Sequence, residues 1–112
     1  MEALDQIFNL LSEERRRYTL YFLEQQDDPA PVDEVAEQVA EWKTDGPPAS
    51  IPEEKFEQIE VKLLHNDLPK ASEAKYINYD SEERMVELTE APPTFKAIIS
   101  VAEIIERPDR NP

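Results

Sequence analysis

Apolar residues recur at helical spacing in successive stretches of this chain, and prolines stand between the stretches. That alternation restricts the fold to short amphipathic helices joined by abrupt turns. Leu4, Ile7, Phe8 and Leu11 follow i, i+3, i+4, i+7 and give a first helix one apolar face. Ser12 reads as the N-cap of a second helix, with Glu13 and Glu14 where a helix N-terminus favours acids. That helix is predicted to run to about Gln26, with Tyr18, Leu20, Phe22 and Leu23 as a broad apolar surface. Asp27-Asp28-Pro29-Ala30-Pro31 reads as a stop and a turn. Val32, Val35, Ala36, Val39 and Ala40 predict a third helix over about 32–43. Trp42 near its end reads as a core or loop anchor, and the three-proline stretch 44–52 as a mobile loop.

A fourth helix is predicted from Pro52, a residue suited to a first helical turn, with Phe56, Ile59, Leu63 and Leu64 on its buried side. Pro69 interrupts or kinks it, and Leu68 and Ala71 carry the apolar side into a short extra turn. Tyr76–Tyr79 and Met85–Thr89 have strand character, with 80–84 as a hairpin tip between them. After Pro92-Pro93 a last helix, about 94–106, carries Phe95, Ile98, Ile99, Ala102 and Ile105, widened by Val101 and Ile104. The tail from Pro108 is expected to fray.

Composition narrows the function. The chain has 112 residues, which fits one domain with a single modest core. It has no Cys, so disulfides and thiolate metal sites are excluded. No apolar run is long enough to span a membrane and no basic-then-apolar leader is visible, so a cytoplasmic protein without membrane contact is expected. One Gly excludes a glycine-rich phosphate loop. His65 is the only imidazole, and no serine sits in a nucleophile-elbow context. The expectation is a non-enzyme with no cofactor and no metal. The net charge is −14, and the stretch 27–60 contributes −9 of it. Such a surface suits either a basic partner or a solvated acidic shell in a salt-rich cytoplasm.

The element order is three helices, a loop, a fourth helix, a β-hairpin and a final helix. This predicts a mainly α fold with a β-hairpin wing (α+β), a winged helix-turn-helix with extra N- and C-terminal helices. One domain spans 1–112, with its core at about 12–90. In that arrangement the stretch 52–66 is the recognition helix and 76–89 the wing. Lys55, Gln58 and Lys62, spaced i, i+3, i+7, share one helix face, with Asn66 beyond them. Lysine suits phosphate or guanine, and glutamine pairs bidentately with adenine. Arg84 at the hairpin tip and Lys75 at its base are the expected wing contacts. Arg15, Arg16 and Arg17 are expected to reach the DNA backbone, since arginine contacts phosphate bidentately. Against these stand Glu53, Glu54, Glu57 and Glu60 on the same helix and Glu82 and Glu83 beside Arg84. His65 reads as packed at the end of the fourth helix, bonded to a carboxylate or carbonyl, rather than as a phosphate contact or pH sensor. The terminal helices have more apolar surface than solvated helices need. A homodimer is therefore expected through Leu4, Ile7, Phe8, Phe95, Ile98, Ile99, Ala102 and Ile105.

Leu11-Ser12-Glu13-Glu14-Arg15-Arg16-Arg17-Tyr18, Val32-Asp33-Glu34-Val35-Ala36-Glu37, Leu64-His65-Asn66-Asp67-Leu68-Pro69-Lys70 and Tyr79-Asp80 together resemble a family of small haloarchaeal winged-helix proteins. The resemblance covers about residues 4–90. The run at 64–70 is its most specific piece, and the chain departs from the family at or beside Asp67 and at Ala71. It implies a halophilic source, a transcriptional regulator and binding to double-stranded DNA. Two functions follow as expectations. One is a dimeric, sequence-specific DNA-binding regulator. The other is a non-catalytic winged-helix interaction module that uses its acidic 27–60 surface for a protein partner and leaves DNA alone.

Overall fold

A computed structural model describes residues 2–44, 51–89 and 93–107. It is mainly helical with a small antiparallel sheet. The elements are α1 (Glu2–Leu11), α2 (Glu14–Glu24), β1 (Ala30–Pro31), α3 (Val32–Thr44), α4 (Glu53–Lys62), α5 (Leu68–Glu73), β2 (Ile77–Asp80), β3 (Met85–Leu88) and α6 (Pro93–Glu106). A π-helical turn, Leu63–Asp67, joins α4 to α5. The loop expected at 44–52 and the tail from Pro108 fall mostly or wholly outside the described residues.

The core lies around α2, which packs against α1, α3, α6 and β3. Tyr18, Leu20, Tyr21 and Leu23 of α2 meet Val32, Val35, Ala36, Val39 and Ala40 of α3, Ile59 of α4 and Leu63 and Leu68 beyond it, all buried. Burying each such aliphatic side chain contributes about 1.5–3 kcal/mol.

The predicted start of α2 moves by one residue. Glu13 occupies the capping position without a side-chain cap bond. Ser12 instead turns back: its N–H and hydroxyl both donate to the Asn9 carbonyl, at 3.2 and 2.6 Å, and close α1.

The break before α5 also moves. Proline has no N–H, and its ring clashes with the carbonyl four residues before it, here that of His65. The chain widens ahead of Pro69, so that the Leu68 N–H donates to the Leu63 carbonyl, a five-residue step. This turn brings Leu63, Asp67 and Leu68 to the interior.

The sheet has the order β1-β3-β2. The predicted hairpin is β2–β3, with Tyr79 opposite Val86. The stretch expected to be only a turn contributes a third strand: Ala30 pairs with Val86 and Pro31 with Met85. Pro31 can sit there because β1 is an edge strand. Asp80 Oδ1 accepts the N–H groups of Glu82 and Glu83, at 3.0 and 3.1 Å, and shapes the tip. Arg84 closes the tip at φ 54°, and its carbonyl accepts the Val32 N–H at 2.9 Å, tying the hairpin to the start of α3.

α6 docks on α2 through a mixed seam. Phe95 and Ile99 are buried, and Phe95 stacks on Tyr76 with ring centroids 4.1 Å apart. Further along, Glu103 accepts a bond from Gln25 Nε2 at 2.8 Å. Glu106 accepts Arg17 Nε and Nη2, both at 2.8 Å, and the Tyr21 hydroxyl at 2.9 Å. The Arg17 bond holds the Glu106 carboxyl below the usual glutamate range, while burial pushes Glu103 up. Arg107 is buried over Trp42 and Tyr18, 4.4 and 5.2 Å from their ring centres. Trp42 also meets Tyr18 edge-on, so it is the anchor the sequence suggested.

Two outcomes test this packing. Asp67 is 2% exposed and neutralises Arg15 and Arg16. Asp67→Ala should therefore lose about 3–5 kcal/mol in chemical denaturation, because it leaves buried arginine charge unpaired. A loss below about 1 kcal/mol contradicts the buried pair. Glu103 works in the opposite sense. Its folded pKa is raised, so its ionisation weakens the fold above the ordinary glutamate range, and stability is recovered as pH falls and it is protonated. Glu103→Gln should be more stable than wild type at neutral pH, with the gain shrinking as the pH is lowered. A less stable variant at neutral pH contradicts this reading.

Candidate nucleic-acid interface

The three consecutive arginines are not a surface patch. α1 ends with carbonyls that have no intrahelical partner, and these need donors. Arg16 supplies two, from Nε to Leu10 at 3.0 Å and from Nη2 to Asn9 at 2.9 Å. Arg17 supplies a third, from Nη1 to Leu11 at 2.7 Å. Arg15 grips Asp67 with Nε and with Nη2, the latter at 3.0 Å, and the carboxylate raises its pKa further. Arg16 Nη1 lies 3.5 Å from the same carboxylate. Arg15 and Arg16 are buried and Arg17 is bound to Glu106, so the expected phosphate contacts from this cluster are replaced by internal ones. The reason is local: these are the donors nearest the end of α1 and the inward-facing Asp67.

α4 differs. Only Ile59 of α4 itself is fully buried, with Phe56 half-buried beside it. Lys55, Gln58 and Lys62 are exposed along one edge of the helix. Among the described residues, neither lysine is in an ion pair. On the opposite edge, Glu60 is paired with Arg84 from the hairpin tip. The hairpin thus delivers a cation to α4 and cancels one of the acids that would repel a phosphate. From the Lys62 edge across the outward side of α4, Glu54, Glu57, Gln58, Val61 and Lys62 line a shallow concavity of about 370 Å³.

Asn66 is exposed, but its amide donates to Asp67 Oδ1 at 3.1 Å, so it steadies the buried carboxylate. His65 is exposed on the π-helical turn, where it was expected to pack. Lys75 is exposed at φ 68° and ends α5: its N–H reaches the Ser72 carbonyl at 2.9 Å, and that of Tyr76 reaches Ala71 at 3.1 Å. That double closure normally places glycine at the left-handed position. Both left-handed non-glycine residues among the described positions, Lys75 and Arg84, are cations at the base and tip of the hairpin.

The expected dimer surface is divided. Ile7, Phe95 and Ile99 are buried in the chain's own core, and Ile98 and Ala102 are half-buried against it. Leu4, Phe8, Val101, Ile104 and Ile105 are exposed, Ile105 at 76%. α6 is rotated so that Glu103 and Glu106 face inward with Phe95 and Ile99, while Val101, Ile104 and Ile105 face out. The sequence gives no direct sign of this rotation, because acids are normally assigned to solvent. The signal available was the excess of apolar positions on α6 together with polar partners on α2.

Among the described residues no group of three or more potential ligands is placed to hold a metal ion, and no helix is long and apolar enough to cross a membrane. Residues 8–87 match the family described as a domain of unknown function (DUF7344), and the chain belongs to that family. The comparisons with curated proteins and with solved structures find no match.

Proposed function

We propose that the chain is a winged helix-turn-helix DNA-binding regulator of a halophilic archaeon, with α4 in the major groove and the β2–β3 hairpin on the flanking backbone. The observation that carries the proposal is the α4 edge. Lys55, Gln58 and Lys62 stand exposed together, while Arg84 of the hairpin reaches the same helix through Glu60. The strand order supports the fold reading. A short strand before α3 pairs with the hairpin, as the wing of such domains does, and α2, α3 and α4 surround one core. The strained, cationic positions Lys75 and Arg84 bracket the wing. In this reading the acidic surface keeps the chain hydrated in concentrated salt, and the few local bases supply the phosphate contacts.

The exposed faces of α1 and α6 support a homodimer. A chain of net charge −14 repels its copies over most of its surface. The outward side of α6, with Val101, Ile104 and Ile105, presents no free acid, because Glu103 and Glu106 are bonded inward. Arg17 holds the ends of α1 and α6 at one guanidinium, bonding Leu11 and Glu106. A two-fold pairing through Leu4, Phe8, Val101, Ile104 and Ile105 replaces the interface read from the sequence, and would set two α4 helices on half-sites about one helical turn apart.

A second reading is favoured by the exposed acids Asp33, Glu34 and Glu37 on α3 and Glu53, Glu54 and Glu57 on α4. There the same fold binds a basic protein partner and excludes DNA.

The double variant Lys55→Ala/Lys62→Ala should fold normally. Its binding to a selected duplex should weaken, and the slope of log affinity against log salt should become shallower by about two. Unchanged binding removes α4 as the contact surface, and absence of any retained duplex favours the protein-partner reading. Light scattering at molar KCl should give twice the mass of one chain for the wild type and a single chain for Ile104→Glu/Ile105→Glu. A wild-type monomer contradicts the dimer.

A further inference from the structure

Outside the terminal helices, Val61 is the one exposed large hydrophobic residue among the described positions, at 53%. Its place on α4 is specific. Ile59 and Leu63 define the buried side, and at 100° per residue Val61 falls directly opposite, with Glu54 and Glu57 close on either side of it and Gln58 between it and the lysine edge. Lys55 and Lys62 lie toward one edge and Glu60, covered by Arg84, toward the other. A helix seated in the major groove turns its outermost line toward the base edges and its flanks toward the two phosphate backbones. Val61 therefore occupies the line that meets bases, three residues after Gln58.

Two base-edge features complement those side chains. Thymine alone presents a methyl group in the major groove, which an aliphatic side chain can cover. Adenine presents the N6/N7 pair that glutamine bonds twice. An i, i+3 pair on one helix face addresses neighbouring positions, so valine and glutamine together select adenine and thymine. Lysine at this line would favour guanine instead, and both lysines are off it.

We propose that Val61 is a specificity-determining residue that covers a thymine methyl group, with Gln58 on an adenine of the neighbouring pair, so that the duplex recognised by α4 carries adjacent A·T pairs where the helix enters the groove. The inference rests on the DNA-binding reading of α4.

The test uses the full chain and a randomised duplex library retained at molar KCl. The enriched duplex is then synthesised in two forms, with thymine and with deoxyuridine, which lacks only the methyl group. The expected result is enrichment of adjacent A·T pairs and binding about fourfold weaker for each covered methyl group removed. Val61→Ala, an exposed substitution that withdraws both γ-methyl groups, should lose most of the difference between the two forms. Enriched duplexes without adjacent A·T pairs overturn the proposal. So does equal binding of the two forms by the wild type, or the same loss in Val61→Ala. In those cases the DNA-binding reading survives, because a duplex was retained. If no duplex is retained, both readings fall together.

Discussion

The fold is organised by one buried carboxylate. Asp67 lies in the π-helical turn between α4 and α5 and receives Arg15, Arg16 and Asn66. Removing such charges from water costs several kcal/mol per ion, and the arrangement holds only because both sides are well bonded. Arg15 binds the carboxylate with two nitrogens. Arg16 meets it while also closing the end of α1. The pairing therefore joins three elements at one point: α1, the start of α2 and the exit of α4. It sets the end of α4 against α2. With Ile59 and Leu63 buried behind it, that leaves the Lys55–Lys62 edge facing outward.

The charge of the chain has a different meaning once these contacts are placed. Arg15, Arg16, Arg17 and Arg107 are buried or bound inside the fold, so these four arginines are withdrawn from the surface. The exposed cations include Lys55 and Lys62 on α4, Lys75 and Arg84 at the base and tip of the hairpin, Lys70 on α5 and Lys96 on α6. An acidic body with a small basic edge gives weak electrostatic steering, so in the proposed DNA-binding role discrimination would come from base-edge contacts. In the proposed dimer, the uncharged outer side of α6 is the surface where two copies would approach with least repulsion.

Much of this was legible in the sequence. Helical spacing located α1, α3, α4 and α6, and the period-two segments located the hairpin, because each buries one continuous face. β1 carried no signal: two residues, one of them proline, become a strand only by pairing with Val86 and Met85. The π-helical turn was anticipated as a break at Pro69 but placed too late, since the clash falls on the preceding turn. The site was less legible. Lys55, Gln58 and Lys62 stand where spacing put them. The arginine cluster does not, because sequence shows neither the unpartnered carbonyls at the end of α1 nor Asp67, fifty-two residues away from Arg15 in the chain. The face of α6 was misassigned because its acids find partners on α2.

The central claim is that α4 and the hairpin tip form the surface that meets DNA. Amide chemical-shift mapping of the full chain with a selected duplex at high salt tests it most directly. The account predicts shifts concentrated on 54–66 and at Arg84, with α3 and the outer side of α6 unaffected. Shifts centred on the acidic face of α3, or none on α4, would contradict it.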